Sequence, residues 1–272
     1  YMNLIPDKDR KRVAKDLITR LEKDRGYLKT GFVGTPYFCK ALSQNGYNEY
    51  AYNLLLNKNF PSWLYPVTMG ATTIWERWNS VLPDGRVNPT DMNSLNHYAY
   101  GSVVEWMYRY MAGLNPVEDV PGFRYINLTP MPDYRFKYVN SSYNSPVGLY
   151  ESSWSIKENG ELNFKFNIPF NATANLVLPD AKLEEVYVNG RLLKDTELIA
   201  IVKDENVVIE LVSGVYEFKY NPTKSYIRFY NTSMSLDELL SHEEVGKLVK
   251  DNSQAVVDLM GGMGKSLSYK SM

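Results

Sequence analysis

The sequence predicts a multidomain α and β chain in three parts: helices to about residue 118, an antiparallel β-sandwich over 119–222, and a short helical tail with a frayed end over 223–272. Three observations predict it. Apolar residues recur at helical spacing in the first part, alternate with polar ones in the second, and return to helical spacing after Pro222.

In the first part, Val13, Leu17, Ile18 and Leu21 share one face of a helix over Lys8 to Arg25. Asp7 is placed to cap its start, and Gly26 stands where a C-terminal glycine belongs. Thr35-Pro36 open a second helix, a hydroxyl cap followed by proline at the first helical position, and it runs to Gly46. A third covers about Asn48 to Leu56. After a loop over Asn59 to Gly70, a short helix is expected over Thr72 to Trp78 and a long one from Met92 to Ala112, closed by Gly113 and Pro116.

The period changes from about Pro121. Leu162, Phe164, Phe166 and Ile168 alternate with Asn163, Lys165 and Asn167 after the turn Glu158-Asn159-Gly160, which marks a hairpin strand. Asn189-Gly190 is a two-residue hairpin turn, and Val207 to Leu211 and Val215 to Tyr220 flank Ser213-Gly214. Short strands at this spacing predict the sandwich. In the tail, Ser235 to Leu240, Glu243 to Leu248 and Ser253 to Leu259 read as helical, with a polar end from Gly261.

The chain's 272 residues, 44% hydrophobic and 22% charged, exclude disorder and collagen-like structure. Lys and Arg total 30 against 31 Asp and Glu, so no global attraction to nucleic acid or an anionic membrane surface is expected. A neutral partner fits better. Aromatics make up 14%, with 22 Tyr and 5 Trp, and such flat amphipathic faces suit sugars as well as ordinary cores. A single cysteine, Cys39, rules out an intrachain disulfide and a cysteine metal cluster. No apolar run reaches the roughly 18 residues of a membrane span. The opening Tyr1-Met2-Asn3 lacks a signal-peptide layout and reads as a trimmed start, so the compartment stays open among cytoplasmic, periplasmic and secreted. No zinc, calcium, P-loop or dinucleotide pattern is present, and no cofactor is assigned.

The densest aromatic stretch, Trp63 to Trp78, surrounds one carboxylate, Glu76. A carboxylate among aromatic faces can deprotonate a water while the rings stack on a sugar. On spacing alone, pairing of Glu76 with Arg77 or Lys58 over a tryptophan core is the better account. The residues around it carry more. Gly70-Ala71-Thr72-Thr73-Ile74-Trp75-Glu76-Arg77-Trp78 is followed by Met92-Asn93-Ser94-Leu95-Asn96-His97-Tyr98-Ala99-Tyr100-Gly101-Ser102-Val103, then Glu105 to Tyr110, Gly113-Leu114 and Phe123-Arg124 to Pro130. Together these resemble the C-terminal half of the catalytic domain of bacterial α-L-rhamnosidases of glycoside hydrolase family 78. The resemblance covers roughly residues 26 to 180, and more loosely 235 to 259.

The resemblance implies the C-terminal helices of an (α/α)6, six-hairpin barrel over 1–118, a β-sandwich after it, and inverting hydrolysis of a terminal α-L-rhamnosyl residue. Glu76 matches the general base, which must be ionised to take a proton from the attacking water. His97 matches a histidine that hydrogen-bonds sugar hydroxyls, a task for an imidazole that both donates and accepts. Trp75 is expected at the pocket for the C6 methyl, worth on the order of 0.8 kcal/mol when buried, whereas Trp78 fits the core better. Trp63 and Tyr65, on a loop before the motif, are expected to reach the ligand, with Thr35 and Tyr37 as weaker candidates.

The chain also departs from the family. Inversion needs a second carboxyl as general acid, roughly 6.5–9.5 Å from the base, and in the family it lies well upstream of this segment. Nothing before Gly26 resembles it, since Asp7, Asp9, Asp16 and Asp24 stand on a charge-rich helix that reads as solvated. About five of twelve barrel helices are accounted for. The expectation is therefore a C-terminal piece, weakly active or inactive alone, whose partners are a rhamnose-containing glycan or glycoside, the upstream part of its parent enzyme, or a second copy of itself. The rival readings are a non-catalytic carbohydrate-binding or structural module, with ligand on an aromatic strip of the sandwich, and a glycosidase of other specificity on the same barrel.

Overall fold

A computed structural model describes residues 4–90, 92–227, 230, 236–240 and 243–253. The chain divides into two compact units, 1–226 and 227–272. The first holds helices α1 (Asp7–Lys23), α2 (Thr35–Gln44), α3 (Asn48–Leu56) and the short α4 (Leu64–Thr68), followed by an irregular helical stretch over 99–111. The α1 boundaries follow the apolar stripe, with Ile18 and Leu21 inside and Gly26 in the left-handed conformation after its end. Its first turn starts after Pro6 with no side-chain cap, so Asp7 contributes charge at the N-terminus and not a capping hydrogen bond. Thr35 likewise does not cap; it is the first residue of α2, and its hydroxyl donates back to the Gly31 carbonyl at 2.9 Å.

One expected helix is absent and another is shortened. Thr72 to Trp78 is a loop, and the stretch expected to be helical from Met92 begins only at Ala99, as a 3-10 turn (Ala99–Ser102), one α turn, α5 (Val103–Trp106), and a π turn (Met107–Met111). The cause is competition for the backbone. Glu76 N–H donates to Ser94 O at 2.9 Å and His97 N–H to Ile74 O at 2.8 Å, so each segment gives its hydrogen bonds to the other. The Ser94 hydroxyl takes the Asn96 N–H at 3.1 Å, a local bond that displaces a helical one.

Two sheets follow. β1 (Leu114–Pro116), β2 (Tyr125–Leu128), β6 (Thr173–Leu178), β10 (Asn206–Leu211) and β9 (Ala200–Lys203) form one, in that order. β3 (Tyr138–Ser145), β4 (Gly148–Ile156), β5 (Leu162–Ile168), β11 (Gly214–Tyr220), β7 (Tyr187–Val188) and β8 (Arg191–Leu192) form the other. Neighbouring strands are antiparallel except β2 and β6, which run parallel. Ile126, Leu176, Val207 and Ile209 from the first sheet meet Trp154, Phe164, Phe166 and Phe218 from the second in one buried cluster. The alternation in Leu162–Ile168 thus places every second residue in the core.

The helical layer has its own core, with Tyr52 edge-on to Trp106 at 5.2 Å and Leu28, Leu42 and Leu54 around them. It is joined to the sandwich by polar bonds to backbone: Trp154 Nε1 donates to Met111 O at 2.7 Å, and Tyr52 Oη to Met131 O at 2.7 Å. The indole thus gives a partner to the Met111 carbonyl at the end of the π turn, where helical bonding stops. Cys39 lies in the helical core, and burial pushes its thiol up to about 12. We therefore expect a thiol reagent at pH 8 to modify Cys39 only in denaturant; rapid labelling of the native chain would contradict this packing.

The second unit contains α6 (Leu236–Leu240) and α7 (Glu243–Asn252). Gly246 permits their close approach, since a Cβ there would sit 2.9 Å from Leu240 O. The helix expected over Ser253–Leu259 falls, beyond Ser253, outside the described residues, as does the polar end from Gly261.

Candidate active site

Glu76 and His97 stand on the two loop segments that replace the expected helices. The segments pair along their length. The Ser94 N–H donates to Glu76 Oε2 at 2.8 Å while Ser94 O accepts the Glu76 N–H, so both backbone and side chain of Glu76 are held by one residue. Arg77 Nε donates to Met92 O at 2.6 Å, and the Thr73 hydroxyl to Leu95 O. With Ile74 O taking the His97 N–H, the carboxylate and the imidazole lie on adjacent, cross-bonded stretches of chain.

A short hairpin supports this pair from one end. Val81 bridges to Val87 around Asp84-Gly85, and Asn93 Nδ2 donates both to Ser80 O at 3.1 Å and to Asn88 O at 3.0 Å. The amide therefore ties the approach to Ser94 onto the hairpin. Glu76 is half-buried, and its Oε2 accepts the Ser94 N–H, which fixes the carboxylate's orientation; among the described residues no hydrogen bond goes to Oε1.

His97 is half-buried as well. Its Nδ1 accepts the Ala99 N–H at 3.3 Å, the role of the neutral tautomer that carries its proton on Nε2. Tyr98 stacks on it at 5.3 Å, and Phe32 lies 5.7 Å away at 44°. Tyr98 and Phe32 are themselves 87% and 46% exposed, so the imidazole stands beside aromatic surface open to a ligand. Sequence reasoning missed Phe32, Tyr98 and Ser94. Only Ser94 left a signal, the polar run Asn93-Ser94-Leu95-Asn96 at a position expected to be helical.

The other candidates sit differently. Trp63, Tyr65 and Trp75 are buried, at 9%, 8% and 5% exposure, where ligand contact was expected. Trp63 is not on an open loop but immediately before α4, and Tyr65 is within it. Trp63 Nε1 donates to Tyr100 O at 2.9 Å and Tyr65 Oη to Val81 O at 3.0 Å, so their polar ends serve the protein's own backbone. Trp78 is core, as expected, stacked on Tyr100 at 3.7 Å and edge-on to Trp63 at 5.4 Å. Thr35 is buried, while Tyr37 is 39% exposed.

Two grooves elsewhere are lined by other residues, one on the outer face of the six-stranded sheet and one between α1 and α3. Among the described residues no group of three or more His, Cys, Asp or Glu side chains is arranged to hold a metal, and no helix is long and apolar enough to cross a membrane.

Helices followed by two β-sheets match the architecture of the six-hairpin glycosidases with a C-terminal β-domain. Residues 1–111 match the family described as the bacterial alpha-L-rhamnosidase 6 hairpin glycosidase domain, and residues 113–192 the bacterial alpha-L-rhamnosidase C-terminal domain; these two segments of the chain belong to those domain families. It is 35% identical over 219 residues to an alpha-L-rhamnosidase of Formosa agariphila, a match covering 80% of this chain and 23% of the relative. It is 36% identical over 218 residues to one from Streptomyces avermitilis, covering 80% and 20%. The crystal structure of a Streptomyces avermitilis alpha-L-rhamnosidase complexed with L-rhamnose superposes with a TM-score of 0.73 at 36% identity, over 80% of this chain and 20% of that one. The alpha-L-rhamnosidase from Dictyoglumus thermophilum gives 0.72 at 30% identity, over 81% and 24%. The chain thus spans less than a quarter of the length of these relatives.

Proposed function

We propose that this chain forms the C-terminal portion of an α-L-rhamnosidase, supplying the general base Glu76 and the sugar contact His97 to an inverting hydrolysis. One observation supports the reading: the Glu76 and His97 segments are cross-bonded through Ser94 and Ile74, so two residues 21 positions apart in sequence stand on neighbouring stretches of backbone. Glu76 as carboxylate takes a proton from water through Oε1 while Ser94 holds Oε2. The water's oxygen bonds to the anomeric carbon as the glycosidic bond breaks. His97 donates its Nε2–H to a sugar hydroxyl, with Tyr98 and Phe32 against the apolar ring face. Trp63, Tyr65, Trp75 and Trp78 act from behind, fixing the loop pair against the helical core.

On this proposal the general acid comes from an upstream portion of the parent protein. The stretch 92–111 leaves Met92, Leu95, Val104 and Tyr108 exposed, apolar side chains on which that portion, or a second copy of this chain, would dock. The proposal is tested by following the anomer first formed from an aryl α-L-rhamnoside by proton NMR, using the chain together with its upstream portion. Inversion requires β-L-rhamnose first; the α-anomer first would overturn it. In the same preparation His97→Ala is expected to raise KM and lower kcat/KM by about 10- to 100-fold, the range for a lost hydrogen bond to a ligand hydroxyl. An unchanged kcat/KM would remove His97 from the site.

A further inference from the structure

We propose that the outer face of the six-stranded sheet is a second carbohydrate-binding surface, built for an acidic, uronate-containing oligosaccharide. The pairing register aligns Tyr138, Ser155, Asn163, Lys219 and Tyr187 in one row across β3, β4, β5, β11 and β7. The next row holds Asn140, Ser153, Lys165 and Glu217. Residues between them, such as Trp154, Phe164 and Phe218, point inward and close the core. Four strand spacings separate the two tyrosines, about 19 Å.

The shape follows from side-chain size. Serines occupy the middle of the face on β4, with larger side chains on both sides, and the result is an open groove of ≈640 Å³. Asn140, Ser153, Ser155 and Asn163 give it hydroxyl and amide groups, which both donate and accept as a polyhydroxylated ligand requires. Tyr138, 64% exposed, lines the groove, and Tyr187, 38% exposed, ends the same row just beyond Lys219; both offer flat faces to sugar C–H groups.

Charge selects among glycans. The lining carries two ammonium groups, Lys165 and Lys219, against one carboxylate, Glu217. Lys165 Nζ is matched to Glu217 Oε1 at 3.0 Å, whereas Lys219 Nζ lies 5.3 Å over the Tyr187 ring. The surplus positive charge at the aromatic end fits a sugar carboxylate. A docked protein or domain would want an apolar, desolvated centre, and both rows here are polar through the middle. The inference rests on the glycosidase reading only for its ligand class, a polymer held apart from the bond being cut.

Because binding is measured without turnover, the test is independent of catalysis. The full chain is titrated with an oligogalacturonate and with a neutral cello-oligosaccharide of equal length, following backbone amide shifts. The expected result is saturable shifts confined to β3, β4, β5, β11 and β7 with the acidic chain, weakened by added salt. Tyr138→Ala and Lys219→Met should each weaken binding by about tenfold or more, while melting at the wild-type temperature, since both side chains are exposed. Absence of saturable shifts, equal binding of the neutral chain, or variants that bind like wild type would each overturn the proposal. Hydrolysis of a small aryl rhamnoside by the assembled enzyme should be unaltered by Tyr138→Ala, which separates this surface from the proposed catalytic site.

Discussion

Glu76→Gln is expected to lower kcat of the assembled enzyme by about 10²- to 10⁴-fold, the contribution of a positioned general base, equivalent to ~3–5 kcal/mol of barrier. KM should change little. The substitution keeps the side chain's size, and an amide oxygen can still accept the Ser94 N–H that the carboxylate accepts at 2.8 Å. What is lost is the ability to take a proton from water. Steady-state kinetics on an aryl α-L-rhamnoside, with circular dichroism to show the fold unchanged, checks this. A fall of less than about fivefold would mean that Glu76 is not the base, and the half-buried carboxylate would then be only a loop fastener.

Gly113→Ala is expected to have the largest effect on stability of any single methyl addition in the first unit. Gly113 has φ of +81°, and a Cβ there would lie 2.2 Å from Pro130 N and 2.5 Å from Thr129 C. These are backbone atoms, tied to Gly113 by the Thr129 N–H donating to its carbonyl at 2.9 Å, and they cannot rotate away. Left-handed strain of roughly 1–2 kcal/mol adds to the displacement of the strand entering the sandwich, for a total of about 4 kcal/mol or more. Gly85→Ala provides the control, with a similar φ of +83° but open space around the added methyl, and should cost only about 1 kcal/mol. Thermal melts of the two variants compare them directly. Equal losses would show that strain alone, and not the crowding at Pro130, governs the junction between helices and sheets.

What was legible in the sequence divides by the range of the interactions involved. The strand Leu162–Ile168 was readable because its two-residue alternation is the burial pattern itself. The helix Asn48–Leu56 was readable for the same local reason. The stretches 72–78 and 92–98 were not, because their conformation depends on bonds to each other across 15 or more positions, and on serine and asparagine side chains that compete with helix locally. Tertiary pairing overrode the apolar period. At the site, aromatic density was visible but its direction was not: Trp63, Tyr65 and Trp75 are buried, while Phe32 and Tyr98, both well outside the dense stretch, supply the exposed rings. Glu76 and His97 themselves stood out only through resemblance to a known family, since a lone carboxylate and a lone histidine carry little on spacing alone.

The central claim is that this chain completes a rhamnosidase by bringing the base to an acid carried elsewhere in the parent protein. Its most direct test is hydrolysis of an aryl α-L-rhamnoside by the chain alone, by the upstream portion alone, and by the two mixed, each with wild-type Glu76 and with Glu76→Gln. The account predicts activity only in the wild-type mixture. Full activity of either portion alone, or a Glu76→Gln mixture as active as wild type, would contradict it.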